Sequence, residues 1–192
     1  MLENLTEKYQ ITLASNSPRR KELLTKIISI FKVESKEVEE IYPNNLQGGE
    51  IATYLSQLKS KPFQPNEKEL IITADTIVIL DSLILGKPKN PEEAKHMLTL
   101  LSGKKHEIIT GVTIRTKDKE LSFYDSTKVE FYVLKPDEIE YYVEEYKPFD
   151  KAGAYGIQEW IGHVGIRKME GDFYNVMGLP IHRVYRELNQ FI

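Results

Sequence analysis

The stretch Leu70 to Leu80 constrains the fold more than any other part of this chain. It is almost unbroken apolar, largely β-branched sequence, interrupted only by Thr73, Asp75 and Thr76, and it predicts a buried strand. Asp81-Ser82 then supplies a turn and Leu83 to Leu85 a returning strand, so a central hairpin is expected. The same run poses a chemical question. A lone carboxylate in apolar surroundings is costly, so Asp75 needs a metal, a cationic partner or a raised pKa. Each of these suits a general base. The structural alternative is a buried aspartate that satisfies backbone N–H groups at a strand kink.

Around this hairpin the remaining elements alternate between helix and strand signals. Ile11 to Ala14 reads as a short buried strand, after which Ser17 can cap a helix that has Pro18 at its first position. From Glu50 to Lys61 the residues Ile51, Tyr54, Leu55 and Leu58 recur at helical spacing, and Pro62 ends the helix. Asn90-Pro91-Glu92-Glu93 opens another helix with an Asn cap and a Glu at the capping-box position, and Gly103 stops it. His106 to Thr116 and Leu121 to Val133 are expected as long strands about the polar turn 117–119, followed by a helix from Pro136 to about Tyr146. Ile161 to Met169 and Asp172 to Met177 are expected to pair as a hairpin around Glu170-Gly171, and Pro180 opens a last helix. The sum is an α/β chain with an elongated mixed sheet flanked by helices. No repeat or linker-like tract divides it, so 1–192 is read as a single domain.

Composition narrows the function classes. With 41% hydrophobic and 29% charged residues the chain resembles an ordinary globular protein. Its net charge of −3 gives no global field for polyanions, so duplex nucleic acid is not expected as a partner and any anionic ligand needs a local basic cluster. The absence of cysteine removes disulfides, thiolate nucleophiles and Cys-based metal sites and fits a reducing compartment. Glu3, Glu7 and Lys8 interrupt what would be the apolar core of a signal peptide, and no apolar run approaches the roughly 20 residues that span a bilayer. A cytoplasmic protein without membrane partners is expected.

One such basic cluster exists. Ser15-Asn16-Ser17-Pro18-Arg19-Arg20-Lys21 places three cations in a first helical turn, where the macrodipole favours acidic residues. Bound anion would relieve that conflict, with backbone N–H groups, the hydroxyls of Ser15 and Ser17 and the Arg forks as a phosphate cradle. The plainer reading pairs Arg19 and Arg20 with Glu22 on the surface. The acidic run Glu34 to Glu40 is either solvated or supplies hard oxygen ligands to a divalent cation. Gly86-Lys87-Pro88 lacks the spacing of a phosphate-binding P-loop, leaving Lys87 as one isolated cation that can touch phosphate. The small-residue loop 149–158 permits close approach of a flat ligand, and Gln158 can both donate to and accept from one edge of a base. Histidines 96, 106, 163 and 182 show no ligand spacing.

Together these segments occur in one order: Leu-Ala-Ser-Asn-Ser-Pro-Arg-Arg at 13–20, Glu-Val-Glu-Glu at 37–40, Ala-Asp-Thr at 74–76, Gly-Lys-Pro at 86–88, Leu-Ser-Gly at 101–103, Asp-Lys-Ala-Gly-Ala-Tyr-Gly-Ile-Gln at 150–158 and Val-Met-Gly-Leu-Pro at 176–180. This resembles the Maf family of nucleotide pyrophosphatases over nearly the whole chain. The resemblance implies an ITPase-like fold of two lobes with a central cleft, a homodimer, and hydrolysis of a nucleoside triphosphate at the α-phosphorus to release pyrophosphate with Mg²⁺ or Mn²⁺. It implies that Asp75 is the proton acceptor and that Ser15, Arg20, Glu40, Lys59 and Lys87 hold phosphate or metal, with Glu40 and Asp75 at the metal. Arg19, Thr76 and Gln158 fall where the family chooses its base, and Ala-Tyr-Gly-Ile-Gln resembles the branch that acts on dTTP and UTP. A sister branch acts on 7-methyl-GTP and carries a different sequence there. Thr73 departs from the family, which commonly has glycine before Ala-Asp. The competing classes are a nucleotide-responsive protein that influences cell division by binding, and a single-stranded nucleic-acid binder.

Overall fold

The computed structural model describes residues 2–192. In chain order it contains α1 (Glu3–Lys8), β1 (Gln10–Leu13), α2 (Pro18–Thr25), β2 (Lys32–Val33), α3 (Gly49–Ser60), β3 (Glu69–Leu80), β4 (Leu83–Leu85), α4 (Pro91–Leu101), β5 (Lys105–Arg115), β6 (Glu120–Phe131), α5 (Pro136–Tyr146), α6 (Trp160–Gly165), β7 (Ile166–Glu170), α7 (Phe173–Val176) and α8 (Ile181–Leu188). Seven strands form one mixed sheet in the order β2-β1-β3-β5-β6-β7, with β4 paired to β3. β1 runs parallel to both β2 and β3, whereas β3–β4 and β6–β7 are antiparallel. The mixed sheet flanked by helices, the central hairpin at 69–85 and the two long strands match the sequence expectation.

One expectation fails. Residues 161–177 do not form a hairpin: Trp160–Gly165 and Phe173–Val176 are helical, and Ile166–Glu170 pairs with β6 instead. Asp172 explains part of the difference, because its carboxylate accepts from the Asn175 N–H at 2.8 Å and caps a helical turn where a second strand was expected. Asn175 is then buried, its side-chain N–H₂ donating to Ile108 O and to Thr127 Oγ1, both at 3.0 Å. That tertiary anchor is invisible to local pattern. A smaller difference lies at α4, where Asn90 caps the Glu93 N–H at 2.8 Å as expected, but Glu93 reaches the Lys89 N–H instead of the cap residue's own.

The chain divides into two compact units, each discontinuous in sequence. The first comprises the chain up to Asp75 together with Thr110–Asp125 and Gly178–Ile192. Its core holds Leu5, Ile11, Leu13, Leu24, Leu70, Ile72, Val112, Ile114, Val184 and Leu188, all buried. Each such aliphatic side chain contributes roughly 2 kcal/mol from its removal from water. The second comprises Thr76–Ile109 and Ser126–Met177. There Leu98 and Leu101 of α4, Phe131, Tyr142, Val143, Tyr155 and Ile161 are buried, and α4 packs on α5. No helix among the described residues is long and apolar enough to cross a membrane.

Candidate active site

The basic segment is shaped before any ligand is considered. β1 ends at Leu13, and Ser15, itself buried, accepts the Ser17 N–H at 3.2 Å. Ser17 in turn caps α2, accepting the Arg20 N–H at 3.4 Å with Pro18 at the first position, as the sequence led one to expect. Arg20 does not lie out in solvent against Glu22. Its Nε donates to Gly178 O and its Nη1 to Ala74 O, both at 2.8 Å, and Nη1 also reaches Ser15 Oγ at 3.4 Å. Three separate chain segments of the first unit thus fix the guanidinium. Burial pulls its pKa below the ordinary arginine value; the charges of Asp75 and Glu40 oppose that pull and Arg19 adds to it. Carbonyls hold its donors and the carboxylates of Asp75 and Glu40 face its charge, so the guanidinium is a fixed cation beside two acids.

Asp75 lies on β3 and is only 6% exposed. Its partner is the cation that the apolar run demanded: Lys59 Nζ donates to Asp75 Oδ1 and also pairs with Glu40 Oε1 at 2.9 Å. Of the acidic run, Glu40 is therefore the residue drawn to the site, while Glu34 pairs with Lys36 at 3.8 Å. The kinked-strand reading of Asp75 gives way to an ion pair.

Lys59 is aimed by its helix. Ile51, Ala52, Leu55 and Ser56 bury one face of α3. A Cβ on Gly111 would come within 2.1 Å of Ala52 O, so only glycine lets this backbone approach β5 so closely. Thr73 Oγ1 donates to Ser56 O at 2.7 Å, Ser56 Oγ shares a hydrogen bond with Thr113 Oγ1 at 2.8 Å, and Thr113 meets Ser122 Oγ at 3.0 Å. This buried hydroxyl ladder sets the rotation and height of α3 over the sheet, one turn before Lys59. Thr73, the departure from the family pattern, is its first rung. Sequence reading gave the ladder no role; a run of hydroxyl residues at inward-facing strand positions was the available signal.

The remaining expected residues lie as follows. Arg19 is half-buried on α2, and Thr76 is half-buried on β3 immediately after Asp75. In the second unit Lys87 is exposed just past β4, and the neighbouring Gly86 O accepts the Gly153 N–H at 3.0 Å, tying the 86–88 segment to the small-residue loop. Gln158 is half-buried at the end of that loop, and its Oε1 is a buried acceptor without a hydrogen-bond partner. His106 lies in an aromatic cluster, its Nε2 2.8 Å from the Tyr155 hydroxyl, and is a core residue and not a ligand. Sequence reasoning missed a further group, Lys151 with Glu159 and Tyr142.

Among the described residues no three His, Cys, Asp or Glu side chains gather closely enough to hold a metal unaided. Two carboxylates already share one cation, however, since Lys59 bridges Asp75 and Glu40. Such a pair fits Mg²⁺ or Mn²⁺, which take one or two carboxylates and complete their shell with water and phosphate oxygens.

Comparison with known proteins is consistent along the whole chain. Residues 10–191 match the family described as Maf-like protein. A dTTP/UTP pyrophosphatase of Bacteroides thetaiotaomicron is 51% identical, covering 99% of this chain and 100% of the relative. Proteins of the same name from Phocaeicola vulgatus and Porphyromonas gingivalis are 51% and 47% identical over 99% and 100% of this chain. The solved structure of the Staphylococcus aureus Ham1 protein aligns at 17% identity with a TM-score of 0.46, covering 66% of this chain and 73% of that one. With the basic turn, the buried aspartate and its lysine joined in one unit and the match running from β1 to the last turn, this chain belongs to the Maf family.

Proposed function

We propose that this chain hydrolyses dTTP and UTP at the α-phosphorus, water adding to phosphorus as pyrophosphate departs and the nucleoside monophosphate remains. The observation that carries the reading is the convergence of Arg20, Lys59 and Glu40 on Asp75, a buried carboxylate paired to a lysine at the edge of a fixed positive charge. The names of the curated relatives supply the substrate class.

Arg20, pinned by carbonyls, offers charge to phosphate oxygens without reorganising, which is where electrostatic catalysis gains most. Lys59 holds Asp75 through Oδ1, leaving Oδ2 as the oxygen to orient water and take its proton. Asp75 and Glu40 would hold a divalent cation, which on binding supplies charge neutralisation at the phosphate. Ser15 contributes a hydroxyl beside Arg20. The family resemblance assigns Lys87 to phosphate and Arg19, Thr76 and Gln158 to the choice of base. It also carries a homodimer, which sedimentation would test, and cytoplasmic residence.

The test is direct. Purified protein with Mg²⁺ or Mn²⁺ is expected to release pyrophosphate, and not orthophosphate, from dTTP and UTP. Tight dTTP binding without turnover would favour the reading as a nucleotide-responsive binding protein, and preference for 7-methyl-GTP would move the chain to the sister branch.

A further inference from the structure

The segment Val-Met-Gly-Leu-Pro at 176–180 joins α7 to α8 and carries no side chain able to bind phosphate or metal. Its contribution is made by the backbone. Gly178 is buried and has a φ of 106°, in the left-handed half of backbone space that residues with a side chain seldom enter. Its neighbours are fixed. Leu179 is fully buried, and Pro180 O accepts the N–H groups of Arg183 at 3.0 Å and Val184 at 2.9 Å to start α8, whose Ile181, Val184 and Leu188 are buried in turn.

Held in this way, the Gly178 carbonyl accepts the Arg20 Nε–H at 2.8 Å across 158 residues of sequence. Nε carries a single hydrogen, so this bond takes its whole donor capacity. On the adjacent nitrogen, Nη1 donates to Ala74 O at 2.8 Å and reaches Ser15 Oγ at 3.4 Å. Acceptors on neighbouring nitrogens define the plane of a guanidinium as well as its position. Ala74 immediately precedes Asp75 on β3, so that plane is set relative to the strand bearing the buried carboxylate. Gly178, Arg20, Ser15 and Ala74 all belong to the first unit.

We propose that Gly178 is a positioning residue for Arg20: its left-handed backbone presents the carbonyl that holds Nε, and so orients the guanidinium toward a triphosphate beside Asp75. The inference rests on the proposed function for the ligand of Arg20 and adds the residue that aims it. A side chain at 178 drives φ toward negative values, turns the carbonyl and releases Nε. Arg20 then keeps its charge and loses its aim, and electrostatic catalysis depends on charge that is oriented before the reaction begins. The loss therefore requires an arginine at position 20, because a lysine is a point charge on a flexible stem and has no plane to set. A glycine that merely ended one helix and began the next would act whatever residue stood there.

The experiment is a double-substitution cycle of Gly178→Ala with Arg20→Lys. It is read by kcat and KM for pyrophosphate release from UTP, by calorimetric binding of inorganic triphosphate, and by the NMR resonance of the Arg20 Nε–H group. Gly178→Ala is expected to lower kcat/KM and triphosphate affinity by about tenfold with Arg20 in place, but by no more than about twofold in the Arg20→Lys background. The Nε–H is expected to be protected from solvent exchange in the unaltered protein and to exchange rapidly in Gly178→Ala. Gly178→Asn, which enters positive φ more readily than alanine, should lose less, and it carries the cycle if Gly178→Ala does not fold. An equal loss in both backgrounds would overturn the inference, as would an Nε–H that stays protected when Gly178 is replaced. Absence of UTP turnover in the unaltered protein sinks the proposed function instead; triphosphate binding and the Nε–H signal then still decide whether Gly178 positions Arg20.

Discussion

Lys59 in the first unit and Lys151 in the second are the same device on paper, a lysine between two carboxylates, and they differ in what else holds those carboxylates. Lys59 joins Glu40 and Asp75, drawn from a loop, a helix and a strand, and Glu40 remains 47% exposed at its side chain. Lys151 joins Asp150 and Glu159 within one short stretch, and both oxygens of Glu159 are consumed, one by Lys151 and one by Tyr142. The first arrangement is open to solvent on one side and bears on the end of a positively charged turn. The second holds Glu159 through both oxygens, leaves Asp150 54% exposed at its side chain, and braces the turn 156–159 through Tyr142 and the Gly156 N–H. Charge count alone does not separate chemistry from scaffolding; what else each carboxylate is set against does.

Asp75→Asn gives the largest effect expected from that contrast. The amide keeps shape and a contact to Lys59 but cannot take a proton, and kcat for dTTP should fall by about a thousandfold or more. Circular dichroism and thermal melting are expected to stay near those of the unaltered protein. Residual turnover within tenfold would show that the proton goes elsewhere.

Replacing each lysine by methionine should then split the two devices. Lys59→Met removes charge from the phosphate site and strands the buried Asp75, and is expected to lower kcat/KM by about a hundredfold while costing about 3 kcal/mol in urea unfolding. Lys151→Met strands a mostly buried Glu159 and is expected to cost about 3 kcal/mol in urea unfolding, with kcat on UTP changed only several-fold. Equal effects of the two substitutions on both measurements would erase the distinction.

Gly111→Ala tests the packing beneath Lys59. The added carbon would meet Ala52 O at 2.1 Å, so α3 must shift away from β5. A loss of about 2 kcal/mol is expected from overpacking, with kcat falling as Lys59 is carried off Asp75. Thr73→Val, which keeps volume and removes the hydroxyl from Ser56 O, should cost about 1 kcal/mol by the same route.

These tests fall on residues of very different legibility. The strand at 69–80 announced itself by its unbroken apolar run, and the caps Ser17 and Asn90 by their residue types, because those signals are local. Asp75 was legible as an anomaly, a charge that had to be paid for somewhere, although its lysine lies 16 residues away in another element. The hydroxyl ladder was not, since Thr73, Ser56, Thr113 and Ser122 are unremarkable until the mixed sheet and a helix bring them together. The failure at 161–177 has the same root. The Asp172 cap is local, but it is fixed by bonds of Asp172 and Asn175 to Thr127 and of Asn175 to Ile108 that span 45 residues and more, and these decided for helix.

The smallest effect concerns a residue that the chemistry does not use. His106 is buried against Phe131 and Tyr155, and burial lowers its pKa to about 4 from an ordinary 6.5. Unfolded chain therefore binds a proton as pH falls through about 6.5 while the folded protein does not, so stability is full above that pH and is lost progressively toward pH 4. Between pH 7 and about 5.5 the loss should be about 1 kcal/mol from this group alone. His106→Gln keeps a polar partner for the Tyr155 hydroxyl and removes the titration. Its urea midpoint is expected to be lower than that of the unaltered protein at pH 7 but to fall less on acidification. Parallel pH profiles for the two proteins would show that His106 is not the source of the acid sensitivity.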